Sequence, residues 1–272
     1  MSGTVSPPIS NAAPPTARKF ALESLERTYD PATVGYLEAT GLVAGGRYLE
    51  VGAGGGSIAR WLAQRAGPDG HVVATDIDPH CLAGLAALNL PNLEVQRHDV
   101  AEDDLPEQSF DLIHARLVLI HVSKRQEALV RLVAALKPGG WLVIEDFDHV
   151  LVEDRTFPVR NVVQRALLQK MVSALPQVLW ARGHETGWAR KLHLRLREHG
   201  LAEVGMEGRL LVARGTSAGA WIVRAFFEGT RAEAVAAGLV TDQELDTFFA
   251  LLDDPEFTFT LPIMMSAWGR RP

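Results

Sequence analysis

The sequence predicts an open α/β sheet of mainly parallel strands with helices on both faces. Two observations carry this. Between Arg47 and Phe147 short apolar runs alternate regularly with helical patterns, and parallel neighbours need a crossover connection that is usually a helix. The first apolar run passes directly into Glu50-Val51-Gly52-Ala53-Gly54-Gly55-Gly56, and a helical pattern starts right after it. Glycine at such a turn takes positive φ and lets a ligand approach the backbone closely.

Taken in order, residues 1–16 hold four prolines among small polar residues and no apolar periodicity, which reads as a disordered leader. Residues 17–46 form N-terminal cap helices, two of them: Phe20, Leu22, Leu25 and Tyr29 make the first, and after Asp30-Pro31 the residues Val34, Leu37 and Leu42 make the second. Residues 47–150 are the ligand-binding core. Its strands run through Tyr48 to Val51, His71 to Thr75, Leu93 to Val95, Phe110 to Ala115 and Trp141 to Ile144. Helical patterns fill Ile58 to Ala66, Cys81 to Leu88 and Gln126 to Leu136, the last stopped by Lys137-Pro138-Gly139-Gly140. Residues 151–187 are a cap insertion, helical from Phe157 to Trp180. Residues 188–272 complete the sheet. They hold a helix from Trp188 to His199, a strand-like stretch from Ala202 to Ala213, a helical insertion at 217–252, and a closing strand from Phe257 to Trp268.

Composition narrows the function. With 47% hydrophobic and 22% charged residues the 272-residue chain can bury a sizeable core, and its net charge of -6 offers no general attraction to phosphate backbones or anionic lipid. Nucleic acid and membrane are thus not expected partners. The N-terminus has Pro and Ser where a signal peptide would be apolar, so a cytoplasmic protein is expected. Cys81 stands alone and permits no internal disulfide; it reads as an apolar helix residue.

The chemistry of the glycine turn follows from charge and spacing. Asp76 at the end of the second strand can accept both hydrogen bonds of a ribose diol, and Asp99 at the end of the third can accept from an adenine amine. A dinucleotide fingerprint requires glycine at its sixth position, and counting from Gly52 that residue is Ser57. A pyrophosphate would also meet the carboxylate of Glu50. A ligand with a cationic amino acid end and a sulfonium would instead be attracted to that acid, so the three carboxylates fit S-adenosylmethionine better than NAD.

The segments LEVGAGGGSIARWLA, VVATDID, RHDVAEDDLP, FDLIHARLVLIHV and LKPGGWLVIEDFD resemble, in order and spacing, the class I S-adenosylmethionine-dependent methyltransferases. The resemblance is to small-molecule enzymes of the ubiquinone/menaquinone-biosynthesis type, and it covers roughly a third of the chain. It implies a Rossmann-like fold: a seven-stranded, mainly parallel sheet with an antiparallel last strand at Phe257 to Trp268, and helical cap insertions. It also implies S-adenosyl-L-methionine as cofactor. Glu50, Gly52, Ala53, Gly54 and Gly56 would lie at its methionine part, Asp76 and Ile77 at the ribose, and Asp99 and Val100 at the adenine, with the Arg116 backbone alongside.

Methyl transfer from a sulfonium is an in-line displacement, so holding nucleophile and methyl at contact can supply ~7–11 kcal/mol. A base would help a phenol or enol acceptor. His121 after the fourth strand is the first candidate and His149 after the fifth the second, with His184 and Glu185 third. No metal is expected, although Glu145, Asp146, Asp148 and His149 have ligand chemistry; Asp146 and Asp148 would share one side of their strand and Glu145 the other. Phe20, Tyr29 and Tyr36, then Met171, Leu179 and Trp180, then Trp221, Phe226 and Phe227 could roof an acceptor pocket. The expected reaction is methylation of a small, fairly hydrophobic acceptor in secondary metabolism, at oxygen by preference and at carbon or nitrogen otherwise, by a possible homodimer. An NAD-dependent oxidoreductase, or a methyltransferase-like fold that binds the cofactor without transferring methyl, are the rivals.

Overall fold

The computed structural model describes residues 15–149, 161–185 and 187–272. Residues 1–14 of the expected leader, and 150–160 and 186 of the expected cap insertion, lie outside the described residues. In chain order the elements are α1 (Pro15–Ala39), β1 (Arg47–Val51), α2 (Ser57–Ala66), β2 (His71–Asp76), α3 (Pro79–Ala86), β3 (Leu93–Arg97), β4 (Phe110–Arg116), α4 (Arg125–Ala135) and β5 (Leu136–Asp148). They continue with α5 (Val162–Ala181), α6 (Leu192–Glu198), β6 (Ala202–Arg209), β7 (Val212–Arg214), α7 (Ala218–Ala236), α8 (Asp242–Leu252), β8 (Thr258–Thr260) and β9 (Ile263–Arg270).

Seven strands form one sheet in the order β3-β2-β1-β4-β5-β9-β6. β1 to β5 are parallel, and β9 is antiparallel to both β5 and β6. The expected sheet and its antiparallel last strand are therefore present. The order reverses between β1 and β4, and open α/β sheets bind ligands at that switch point, beyond the carboxyl ends of the strands.

Alternation along each strand distributes the core over both faces. Leu49, Ile113 and Ile144 pack on one face, and Tyr48, Leu112 and Val143 on the other with Ile58 and Leu62 of α2. All of these are essentially inaccessible to solvent.

Four expectations change. α1 is a single helix of 25 residues that includes the last two residues of the expected leader and runs straight through Pro31. Its buried positions Ala21, Ser24, Tyr29, Thr33 and Leu37 keep a helical stripe on both sides of the proline, which faces solvent. Packing of that continuous stripe outweighs the one hydrogen bond proline removes. The expected closing strand is divided at Leu261-Pro262: β8 pairs with β7 in a separate two-stranded sheet and only β9 joins the main one, since proline cannot donate to a ladder. The stretch Ala202 to Ala213 is split in the same way, into β6 and β7. The helix expected at Trp188 to His199 begins as a short 3-10 turn, Ala189–Lys191, before α6.

Lys137-Pro138-Gly139-Gly140 falls inside the bounds of β5, but the ladder to β4 pairs Phe110 with Leu136 and Leu112 with Trp141, so these four residues are looped out of the pairing. Proline and a Gly139 at φ +81° account for that bulge.

Candidate active site

A crevice opens at the switch point, beyond the carboxyl ends of β1, β2 and β4. Of the residues expected at a cofactor, Glu50, Gly52, Ala53, Gly54, Asp76, Ile77, Asp99, Val100 and Arg116 all line it, and so does His121. Gly56 does not. It caps α2 in the left-handed conformation at φ 86°, where a side chain would collide with Leu85. The left-handed backbone and the packing of Leu85 call for glycine there.

The turn between β1 and α2 is held by its own backbone and by one acid. Gly52 has φ 68°, and a Cβ there would run into Val118. The Ala53 amide donates to the Thr75 carbonyl at 2.8 Å, fastening the turn to β2. Asp76 Oδ2 accepts from the Gly54 amide and Oδ1 from the Asp78 amide, both at 2.9 Å. Burial raises the Asp76 pKa, and those amide bonds oppose the rise. Asp99 turns the chain after β3, its Oδ1 accepting from the Ala101 amide at 2.9 Å.

Glu50 is not a lone acid facing the crevice. Its Oε2 lies 2.6 Å from His114 Nδ1, and His114 Nε2 lies 3.2 Å from Glu145 Oε2. Burial alone would push the His114 pKa down, but the two carboxylates together outweigh it and raise it to about 9. His114 is therefore an imidazolium at neutral pH. Glu50 is raised, chiefly by burial, and Glu145 ends up lowered because His114 and the Ser266 hydroxyl more than offset its burial. His114 was not anticipated. It sits within an apolar strand, with partners 64 and 31 positions away, and no local spacing signals it.

The helix α1 forms one wall of the crevice through Leu22, Leu25 and Glu26. Arg116 ties that wall to the end of β4: Nη2 donates to Asp30 Oδ1 and Nη1 to Thr33 Oγ1, each at 2.8 Å. Thr33 Oγ1 in turn donates to Glu145 Oε2 at 2.5 Å. Cys81 and His98 also line the crevice, and neither ring nitrogen of His98 has a hydrogen-bond partner among the described residues. Residue type gave no hint for Cys81, whereas His98 directly precedes Asp99 and could have been inferred from its position.

The candidate bases separate. His121 is buried on the crevice wall, Nδ1 has no hydrogen-bond partner among the described residues, and its ring meets that of His184 edge-on at 4.8 Å. Burial, then the neighbouring His184 and His149, hold its pKa well below the usual histidine value. Burial likewise lowers His184 to about 4. Both rings are neutral at pH 7. His149 lines a second, largely apolar cavity with Met171, Leu175, Val223, Phe227 and Thr260. Phe226 belongs to the walls of both cavities.

The carboxylates of β5 turn to separate protein partners. Glu145 takes the Ser266 hydroxyl at 2.6 Å, on the side of His114. Asp146 accepts from Trp188 Nε1 at 3.0 Å and Asp148 from Arg190 Nη2 at 2.6 Å, on the other side.

Comparison with known proteins agrees with this geometry. The family model described as a methyltransferase domain matches residues 24–201, well over half of the chain. Methyltransferase str2 of Strobilurus tenacellus is 39% identical over 105 residues, 38% of this chain and 36% of that protein. The ubiquinone/menaquinone biosynthesis C-methyltransferase UbiE of Pseudomonas putida is 30% identical over 120 residues, 41% of this chain and 45% of that protein. The chain spans less than half the length of either relative. Among solved structures, YcgJ from Bacillus subtilis superposes with a TM-score of 0.57 at 17% identity, covering 87% of this chain and 97% of that one. The [4+2]-cyclase SpnF gives 0.55 at 18%, covering 89% and 80%. With the extent of the domain match and the strand order above, the chain belongs to the methyltransferase domain family and has the class I fold of the S-adenosylmethionine-dependent methyltransferases.

Proposed function

We propose that the protein transfers a methyl group from S-adenosyl-L-methionine to a small, fairly hydrophobic acceptor in secondary metabolism, with oxygen favoured over carbon or nitrogen. One observation carries this reading. The glycine turn and the acids Glu50, Asp76 and Asp99 line a single crevice, and Phe226 lines both it and a second, apolar cavity. A crevice carrying acids for a charged nucleoside thus adjoins an apolar cavity for an acceptor. Relatives of this chain carry the name methyltransferase, which supports the same reading.

The residues fit the donor. Asp76 keeps one lone pair on each oxygen beside its amide bonds and can accept from a ribose diol. Asp99 uses only Oδ1 within its turn, so Oδ2 can accept from an adenine amine. When bound, S-adenosylmethionine supplies an electrophilic methyl on a sulfonium. The chain supplies position: the α1 wall and the Arg116 latch exclude water, and the second cavity holds the acceptor body. His121, neutral and part of the crevice wall, is the base we assign to an acceptor hydroxyl. His149 is the alternative base from the acceptor side.

The reading is tested in two steps. S-adenosylhomocysteine should raise the thermal midpoint while NAD leaves it unmoved, because a ligand that binds only the folded state stabilises it. Stabilisation by NAD alone would favour an oxidoreductase. A panel of hydroxylated aromatic acceptors with methyl-labelled donor then reads transfer itself. That step is needed because a protein named a cyclase has a similar fold. Donor binding with no labelled product across the panel would support a non-transferring role.

A further inference from the structure

Four neighbouring strands set polar side chains on one face of the sheet at the inner end of the crevice. Glu50 of β1 is the direct cross-strand partner of His114 of β4, and Glu145 of β5 is the direct partner of Ser266 of β9. His114 bridges the two carboxylates, from Nδ1 to Glu50 at 2.6 Å and from Nε2 to Glu145 at 3.2 Å. Glu145 is also held by the hydroxyls of Ser266 and Thr33. Every side chain of this row is buried and is held by at least one hydrogen bond to another member of it. Only Glu50 also lines the crevice. Its Oε2 is taken by His114, while Oε1 accepts no hydrogen bond from the described residues.

We infer that His114 is a positioning residue for donor binding: clamped by Glu145, it fixes the Glu50 carboxylate so that Oε1 receives the ammonium of the donor's amino acid end. This rests on the donor reading proposed above. An unclamped glutamate at a strand tip would sample several rotamers, and fixing it beforehand removes that entropy cost from binding. The charge sum is suited to the task. Three acidic side chains, Glu50, Glu145 and Asp30, meet two basic ones, His114 and Arg116, in this row and its latch, and an ammonium at Oε1 would bring the basic groups to three. Arg116 also lines the crevice, within Coulombic reach of Glu50, which places a positive group near the α-carboxylate of the same ligand end.

The test uses two nucleosides that differ in the amino acid end alone. S-adenosylhomocysteine has it, and 5′-methylthioadenosine keeps the adenosine and the thioether without it. In the full chain, His114→Gln is expected to weaken S-adenosylhomocysteine at least tenfold by calorimetry and to leave 5′-methylthioadenosine within about threefold. A merely structural role would weaken both alike, and that result, or no loss for either, overturns the inference. Should His114→Gln fail to fold, Glu145→Gln keeps the Glu50–His114 pair and takes the carboxylate away from His114 Nε2, which loosens the clamp. The same selective loss is expected of it, and equal losses or none count against the inference. A parent protein that binds neither nucleoside overturns the donor reading itself, which separates that failure from this one.

Discussion

Asp76 Oδ2 accepts the Gly54 amide at 2.9 Å, so the acid proposed for the ribose also closes the glycine turn proposed for the methionine part. One carboxylate thereby couples the two halves of the crevice. Asp76→Ala is expected to weaken S-adenosylhomocysteine by ~1–3 kcal/mol, since it leaves diol and amide groups unpaired. Asp76→Asn retains one acceptor oxygen and should lose less. Calorimetry on both variants checks this, and unchanged affinity in Asp76→Ala would remove the residue from the site.

Arg116 and Asp30 are the latch between the sheet and the α1 wall, and both are largely buried, with 11% and 25% of the side chain accessible. Removing one partner strands a charge there, which is a greater loss than that of an exposed pair. Arg116→Ala should destabilise the protein by ~1.5–3 kcal/mol. Amide exchange should accelerate in α1 more than in the central strands, because the latch fastens a peripheral element. Uniform acceleration over the sheet would show that Arg116 supports the core instead.

Much of the crevice could be read from the sequence because its chemistry is local. Gly52, Gly54, Asp76 and Asp99 each stand at a strand end, and a strand end is marked by the run of apolar residues before it. The clamp on Glu50 escaped the same reading. Glu50, His114 and Glu145 are adjacent only because β4 sits between β1 and β5, and a histidine within Phe110–Arg116 looks like any residue of a buried strand. Pro31 misled for the opposite reason. Its local rule is to end a helix, and only the stripe from Ala21 to Leu37, packed against the rest of the fold, shows that the rule yields here.

His121 is buried and its pKa is held well below the ordinary histidine value. The ring therefore stays neutral as pH falls through 6.5, and any acid limb it causes in the rate profile should lie well below that pH. His121→Gln keeps a polar group of similar reach and removes the base, so kcat on a phenolic acceptor is expected to fall ~10²-fold with little change in KM. A loss within about threefold would leave positioning as the main source of rate and would move attention to His149.

Stability should decline as pH rises, through two buried groups whose windows differ. Asp146 is pushed up to about 8, chiefly by burial, with Arg125 and Trp188 opposing and Glu145 adding to the rise. Its folded value lies above the ordinary 3.8, so folding disfavours the ionised form, and stability present below 3.8 is lost as pH climbs toward 8. His114 has a folded value of about 9 against 6.5, so its contribution is full below 6.5 and is lost as pH climbs through 9. Asp146→Asn retains an acceptor oxygen for Trp188 Nε1 and cannot titrate. Urea midpoints at several pH values should show the variant gaining on the parent from pH 4 to 8 by a few kcal/mol, in order of magnitude. Above pH 8 the gap should hold constant while both decline together with His114. Acid-side losses from His121 and His184 are shared by both proteins and cancel in the difference. A gap that does not change with pH would mean that Asp146 has the same pKa folded and unfolded, and that the bond to Trp188 fully compensates its burial.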